Sequence, residues 1–399
     1  MKYISLIIVL LVLNSCKPKA DFDTPDLTDK ISTQLKFSPV LNPDFDITQK
    51  KVFPRSLNPD GDLELVTKKD WTSGFYPGVL WYTYALTKDE YWKTKAITFT
   101  NVLESEKKNA SNHDIGFKMM PSFGLGYEQT NNSAYKNVLI QSAKTLITRF
   151  DEKVGCIRSW DHHKDKWQFP VIIDNLMNLE LLYWAWKETG DPVYYNIATT
   201  HAKTTMKNHF RKDYSSYHVV NYDTITGKVI SKQTHQGYAD NSSWARGESW
   251  ALYGYTMAYR ESNDSEFLKQ AEHVANYIIN VATLPEDYVP TWDFMLSDKE
   301  NEPKDASAAA VIASALYELS TFTENTKNKN TYLKVANGIM KSLSSKNYFN
   351  VKGTEKGFLL NHSTGSKPWK SEIDVPLVYA DYYYLEALTR KANIQIQPN

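Results

Sequence analysis

Two kinds of helical segment alternate along this chain, six times over. Amphipathic stretches fall near 25–38, 89–107, 134–150, 192–209, 265–281 and 328–344; AYKNVLIQSAKTLITRF, with its Lys and Thr face, is typical. Between them lie segments with fewer charges and many small or aromatic residues, at 72–86, 117–128, 175–188, 244–261, 306–322 and 374–390. SAAAVIASALYELS is apolar almost all round, as a buried helix should be. Apolar spacing is helical nearly throughout, breaks fall at Gly, Pro, Asn and Asp, and no long alternating strand series stands out. Outer and inner helices in alternation, twelve in all, predict an all-α, single-domain (α/α)6 barrel over residues 29–392. A superhelical repeat array would carry stronger internal similarity than these segments have.

The N-terminus has a different character. Lys2 precedes the apolar run Ile4 to Leu13, the pattern of a secretory signal too short to span a bilayer. Leu13-Asn14-Ser15-Cys16 resembles a bacterial lipobox, which implies cleavage before Cys16 and lipid on its thiol. Residues 1–15 are thus expected to be a lipoprotein signal peptide and 16–28 a polar tether. The expected location is periplasmic, with the lipid as the sole membrane contact. Cys156 is left without a disulfide partner and reads as structural. The 46 basic and 46 acidic side chains cancel, so no global field draws nucleic acid, and any bound anion must be met by local residues. The 26 Tyr, 16 Phe and 11 Trp can fill a core or line a cleft that stacks on sugar C–H faces.

The unusual polar clusters sit at the N-terminal ends of the inner segments: DWTSGFYPG, NHDIGF, IIDNLMN, NSSWARGESW, PKDASAAA and SEIDVPLVYADYY. In an α/α barrel these ends converge on one rim and make a polar, aromatic-walled pocket. Helix capping would explain the acids but not Trp71, Trp244, Arg246 and Trp250 beside them. Asp114 and Asp174 are the best carboxylate pair, and the apolar neighbours of Asp174 favour a raised pKa. Asp174 is equally well placed to cap the helix that follows it. His218, His235, Gln236 and Arg246 form a second group. The Arg246 fork suits a substrate carboxylate or sulfate, or else a salt bridge to a nearby acid such as Asp240. Asp161, His162, His163 and Asp165 sit in a charged turn whose adjacent side chains point apart, so no metal site is expected there. There is no phosphate loop, GxSxG elbow, HExxH helix or cysteine cluster.

Taken together, DWTSGFYPG, HDIGF, IDNLMN, HQGYADNSSWARGESW and DASAAA resemble, in order and approximate spacing, the unsaturated glucuronyl hydrolases of glycoside hydrolase family 88. The resemblance runs from about Asp70 to Leu388. It implies an (α/α)6 barrel that removes the 4,5-unsaturated uronic acid left by polysaccharide lyases at a non-reducing end. It also implies that the substrate's enol ether is hydrated without metal or organic cofactor. The family's general acid/base falls on Asp174 and its second aspartate on Asp114. Substrate-binding positions fall on His218, Gln236, Arg246 and Trp250, with Trp71 and Trp160 as stacking walls. Ser363, Ser366, Lys367 and Lys370 read as a sulfate site or as a solvated loop. The expected partners are unsaturated glycosaminoglycan oligosaccharides, of heparin/heparan or chondroitin/hyaluronan type. Two other readings remain: a related unsaturated rhamnogalacturonyl hydrolase acting on pectin fragments, and a lipid-anchored glycan-binding protein without turnover.

Overall fold

Four of the turns that close this barrel are built from one two-residue device. A left-handed residue ends an inner helix, and an Asp or Asn immediately after it caps the next outer helix. The pairs are Lys88-Asp89, Asn131-Asn132, Gly190-Asp191 and Asn263-Asp264. Each capping side chain accepts an N–H of the first turn, which satisfies one otherwise orphaned donor.

The computed structural model describes residues 24–396. The expected signal peptide and Cys16 lie outside the described residues. The outer helices are α1 (Thr24–Leu35), α3 (Glu90–Val102), α6 (Ser133–Ile147), α8 (Pro192–Asn208), α10 (Ser265–Asn276) and α12 (Thr326–Leu343). The inner helices are α2 (Phe75–Thr87), α4 (Ile115–Met119) continued through a π-turn at Met120–Gly124 into α5 (Leu125–Thr130), α7 (Leu179–Thr189), α9 (Ala245–Ser262), α11 (Ala306–Phe322) and α13 (Val378–Ile396). Neighbouring inner helices pack in chain order, and α13 closes the ring on α2. The barrel expected from the alternation is therefore present, and most residues of α9 and α11 are buried.

Two boundaries differ from expectation. Residues 25–28, expected both as the end of the tether and as the start of an outer helix, belong to α1, which buries Ile31 and Leu35 against the core. The last inner helix starts at Val378, not at 374, because residues up to Val375 pair as a strand and a residue directly before a proline disfavours the helical region.

The chain also holds short strands that the helical pattern concealed. They are β1 (Lys51–Leu57), β2 (Leu63–Thr67), β3 (Phe150–Asp151), β4 (Cys156–Ile157), β5 (Pro170–Ile172), β6 (Val219–Tyr222), β7 (Val229–Gln233), β8 (Ser363–Ser366) and β9 (Ser371–Val375). They pair antiparallel as β1-β2, β3-β4, β5-β6-β7 and β8-β9. All lie in connections running from an outer helix to the next inner one, and so decorate the end where inner helices begin. Cys156 is buried there beside Tyr222, and burial pushes its thiol far above the usual range.

Candidate active site

Three of the inner helices are entered through a 3-10 turn or a very short helix, and this places their first polar residues on the barrel mouth. Trp71–Gly74 precedes α2, Asp114 stands before α4, and Ile173–Asn178 precedes α7. Beneath them lies an aromatic floor from four inner elements. Trp71 meets Phe117 at 5.4 Å and Tyr379 at 5.0 Å; Trp250 meets Phe117 at 5.3 Å and Tyr383 at 5.4 Å, centroid to centroid.

The rim acids divide by what they bond. Asp70 accepts from Thr72 N–H and from Arg55 at 2.8 Å. Asp305 accepts from the N–H groups of Ser307 and Ala308 and from Arg246 at 2.7 Å. Both are caps held by cations. Asp114 occupies a cap position, yet its side chain makes no capping bond. Asp174 lies inside its turn, whose cap is Ile172, and its only main-chain donor is its own N–H. Helix capping therefore does not account for either residue.

Burial shapes the electrostatics of the pair. It pushes the Asp174 carboxyl up to about 7, against the Arg246 charge, its own N–H and the Trp250 indole, while the Asp114 charge adds to the rise. Burial likewise pushes Asp114 up to about 7, opposed by Lys118 and Arg149 and reinforced by Asp70. Both carboxyls keep a little exposure, 17% at Asp114 and 13% at Asp174, so each opens on the mouth. His113 Nε2 lies 3.1 Å from Asp114 Oδ1, and burial lowers its pKa to about 3.

His218 is fixed in one tautomer. Its Nδ1 accepts the main-chain N–H groups of His235 and Gln236, each at 3.2 Å. Burial holds the ring neutral, and the nearby Arg246 charge adds to the effect. The one proton must then sit on Nε2, which faces Asp174 Oδ2 at 3.7 Å. Trp244 stacks on His218 at 4.5 Å and carries the Arg246 guanidinium at 4.5 Å.

The two Asn residues of IDNLMN brace the acids. Asn178 Oδ1 accepts from Phe117 N–H at 2.9 Å, and Asn175 donates to Ile157 O at 2.7 Å. Gly116 packs so closely on Asn178 that a Cβ there would lie 2.6 Å from the Asn178 Cα. The HDIGF and IDNLMN turns are thus locked together. The i, i+3 spacing of Asn175 and Asn178 is legible in the sequence, whereas the roles of His113 and Asp305 depend on distant partners.

Several expected binding residues have a different setting from the one predicted. Arg246 is only 1% exposed, and its Nη atoms bond Asp305 at 2.7 Å and the carbonyls of Thr364 and Gly365 at 2.7 and 2.5 Å. Its fork is committed inside the protein, and its acid is Asp305, not Asp240. Trp250 is wholly buried and offers the site its N–H edge, not a stacking face. Ser363 and Ser366 are buried in β8, not in a solvated loop, and the Lys367 ammonium is paired with Glu302. Lys370 alone of that group is exposed. Gln236 reaches the same hairpin, Nε2 to Gly365 O at 3.2 Å. Trp71 is half-buried in the floor, and Trp160 is buried against Trp167 and His235.

Asp174 Oδ2, His218 Nε2, Trp160 Nε1, Ser363 Oγ and Ser366 Oγ are all buried without a hydrogen-bond partner in the protein. Unpaired buried polar atoms are costly, and gathered at one mouth they mark a surface shaped for a polar ligand.

Comparison with known proteins gives a consistent result. The model of Glycosyl Hydrolase Family 88 matches residues 48–392. An unsaturated glucuronyl hydrolase from Formosa agariphila is 52% identical over 86% of this chain and 85% of its own. An unsaturated chondroitin disaccharide hydrolase from Streptococcus pneumoniae is 33% identical over 91% of this chain and 90% of its own. A crystal structure of an unsaturated glucuronyl hydrolase specific for heparin superposes with TM-score 0.88 at 48% identity, covering 93% of this chain and 97% of that one.

Proposed function

The chain belongs to Glycosyl Hydrolase Family 88, and from that premise we infer that it removes the 4,5-unsaturated glucuronyl residue from the non-reducing end of lyase-generated glycosaminoglycan oligosaccharides. One observation carries the reading. Asp174 and Asp114 are two rim carboxyls that cap nothing and are pushed up to about 7, and Asp174 faces the unpaired His218 Nε2.

The chemistry follows from the substrate's enol ether. Asp174 in its acid form donates a proton to C4, and positive charge develops at C5, shared with the ring oxygen. Water adds at C5 as Asp174 takes back a proton, restoring the acid. The product is a hemiketal, which opens and expels the remaining saccharide. Protonating a vinyl ether needs a well-placed acid and no electron carrier. Asp114 bonds the sugar hydroxyls. The His218 Nε2–H donates toward the reacting end, and the Trp250 N–H lies beside Asp174. Arg246 acts as a positioning residue, holding β8 and Asp305 and setting a positive charge behind Asp174. Trp71 and Trp160 wall the sugar, and Gln236 ties the loop after β7 to β8.

Sulfate is bound, in this reading, by Ser363 Oγ, Ser366 Oγ and Lys370, with Lys367 contributing only when Glu302 releases it. Localisation rests on Leu13-Asn14-Ser15-Cys16: lipid on Cys16 anchors a periplasmic enzyme, and Cys16→Ala moves it from the membrane fraction to the soluble fraction.

The test is loss of ultraviolet absorbance from unsaturated disaccharides derived from heparin and from chondroitin. Wild type consumes the double bond, and Asp174→Asn slows it by about 10²–10⁴-fold, the usual worth of a positioned general acid. A full wild-type rate in Asp174→Asn overturns the assignment. Activity confined to unsaturated rhamnogalacturonan would move the substrate to pectin, and tight binding without turnover would make the protein a lectin.

A further inference from the structure

Trp369 lies in the turn between β8 and β9 and is 58% exposed, the largest exposed side chain among the rim residues described above. It is nevertheless not free to move. Its indole Nε1 donates to His235 O at 2.8 Å, and its ring lies 5.1 Å from the His235 ring at 52°. The hairpin that carries it is clamped on both strands. Arg246 holds the carbonyls of Thr364 and Gly365, and Arg55 holds Glu372 at 2.6 and 2.9 Å.

His235 links this exposed ring to the reacting end. It packs on Trp160 at 5.5 Å and on Trp167 at 5.6 Å, and lies 6.4 Å from His218. His218 in turn faces Asp174. Rings therefore continue from the acid outward to solvent, in the order Asp174, His218, His235, Trp369. Burial lowers His235 to about 4, so this wall carries no imidazolium at neutral pH.

Taking the hydrolase reading above as its premise, the geometry points to Trp369 as the stacking platform for the sugar next to the unsaturated residue, the one that becomes the leaving group. A large ring held rigid yet exposed loses little freedom when a ligand covers it, the property that makes aromatic anchors effective. Its negative π-face suits the C–H face of a pyranose, whose hydrogens carry slight positive charge. Lys370, next in the chain and exposed, stands beside that platform to meet an anionic substituent.

The experiment compares two substrates: an unsaturated glycosaminoglycan disaccharide and the methyl glycoside of the same unsaturated uronate, which has no second ring. Trp369→Ala should lose roughly tenfold more kcat/KM on the disaccharide than on the methyl glycoside, chiefly through KM, as the loss of one aromatic stack implies. Trp369→Phe should recover most of the difference. Equal losses on both substrates, or none on the disaccharide, overturn the platform. Disaccharide affinity measured in the Asp174→Asn background gives a readout independent of turnover. A Kd unchanged by Trp369→Ala sinks the platform even if the hydrolase reading stands. A weakened Kd supports it even if wild type fails to consume the double bond.

Discussion

Asp114 and Asp174 sit in the same kind of environment as ordinary helix-capping acids, and what separates them is the absence of donors. Asp305 is wholly buried, yet two N–H groups and Arg246 bond it. Asp174 is buried with no such set, so burial raises it from the ordinary 3.8 to about 7. The acid form is thus present below about pH 7 and lost above it. The pH–rate profile should accordingly show kcat/KM falling as pH climbs through about 7. Linkage to folding has the same sign. The native state retains protons that the unfolded chain releases near 3.8, so the stability contributed is full below that pH and is lost as pH rises through about 7. Asp174→Asn should flatten that decline in urea titrations made at a series of pH values. His218 supplies a second prediction at this scale: nitrogen-15 chemical shifts should report a neutral Nε2–H ring that does not titrate between about pH 5 and 8.

Among the elements, the two locked turns and the clamped hairpin determine where side chains stand. Gly116→Ala forces a Cβ into the Asn178 backbone. Overpacking of that kind costs about 1–3 kcal/mol, and here it moves Asp114 relative to Asp174. The variant should keep its helical circular dichroism while losing kcat far out of proportion to its stability loss. Arg246→Ala leaves the Asp305 carboxylate buried without its cation and releases two carbonyls of β8. Urea denaturation should show a loss of about 3–5 kcal/mol, the cost of breaking a buried pair from one side. Arg246→Lys cannot span both Asp305 and β8, so it should recover only part of that stability.

Across the whole molecule, the barrel's two ends do different work. The mouth at the start of the inner helices holds the unpaired groups around Asp174, while toward the other end two arginines bridge four carboxylates. Arg260 bonds Glu318 and Glu261, each at 2.7 Å, and also Glu180. Arg390 lies 3.1 Å from Glu318, and Glu386 accepts from Tyr82, Tyr253 and Ser314. These residues come from α2, α7, α9, α11 and α13, so the network ties most of the inner ring together. Arg260→Ala should therefore lower stability by about 3 kcal/mol in urea melts by stranding partly buried carboxylates. The folded fraction should keep its activity, because Arg260 touches none of the rim residues. Loss of kcat in the folded variant would show that the two ends are coupled.

The sequence by itself determined the barrel, because each helix declares itself through local periodicity and local caps. Six amphipathic and six apolar segments need no distant partner to be recognised. Asp114 and Asp174 were legible as candidates because these inner-helix starts also carry Trp and Arg residues that capping does not explain, and their catalytic roles came from the family resemblance. The strands were not legible, since runs of two to seven residues are stabilised by partners far along the chain and carry little pattern of their own. The commitments of polar groups were also out of reach. That Arg246 spends its fork on Asp305 and β8, that His218 is pinned by the loop after β7, and that Trp369 is tied to His235 all depend on approaches between distant segments. Tertiary structure decided which polar groups were satisfied and which were left facing the mouth, because hydrogen bonding is settled by three-dimensional proximity and not by neighbours in sequence.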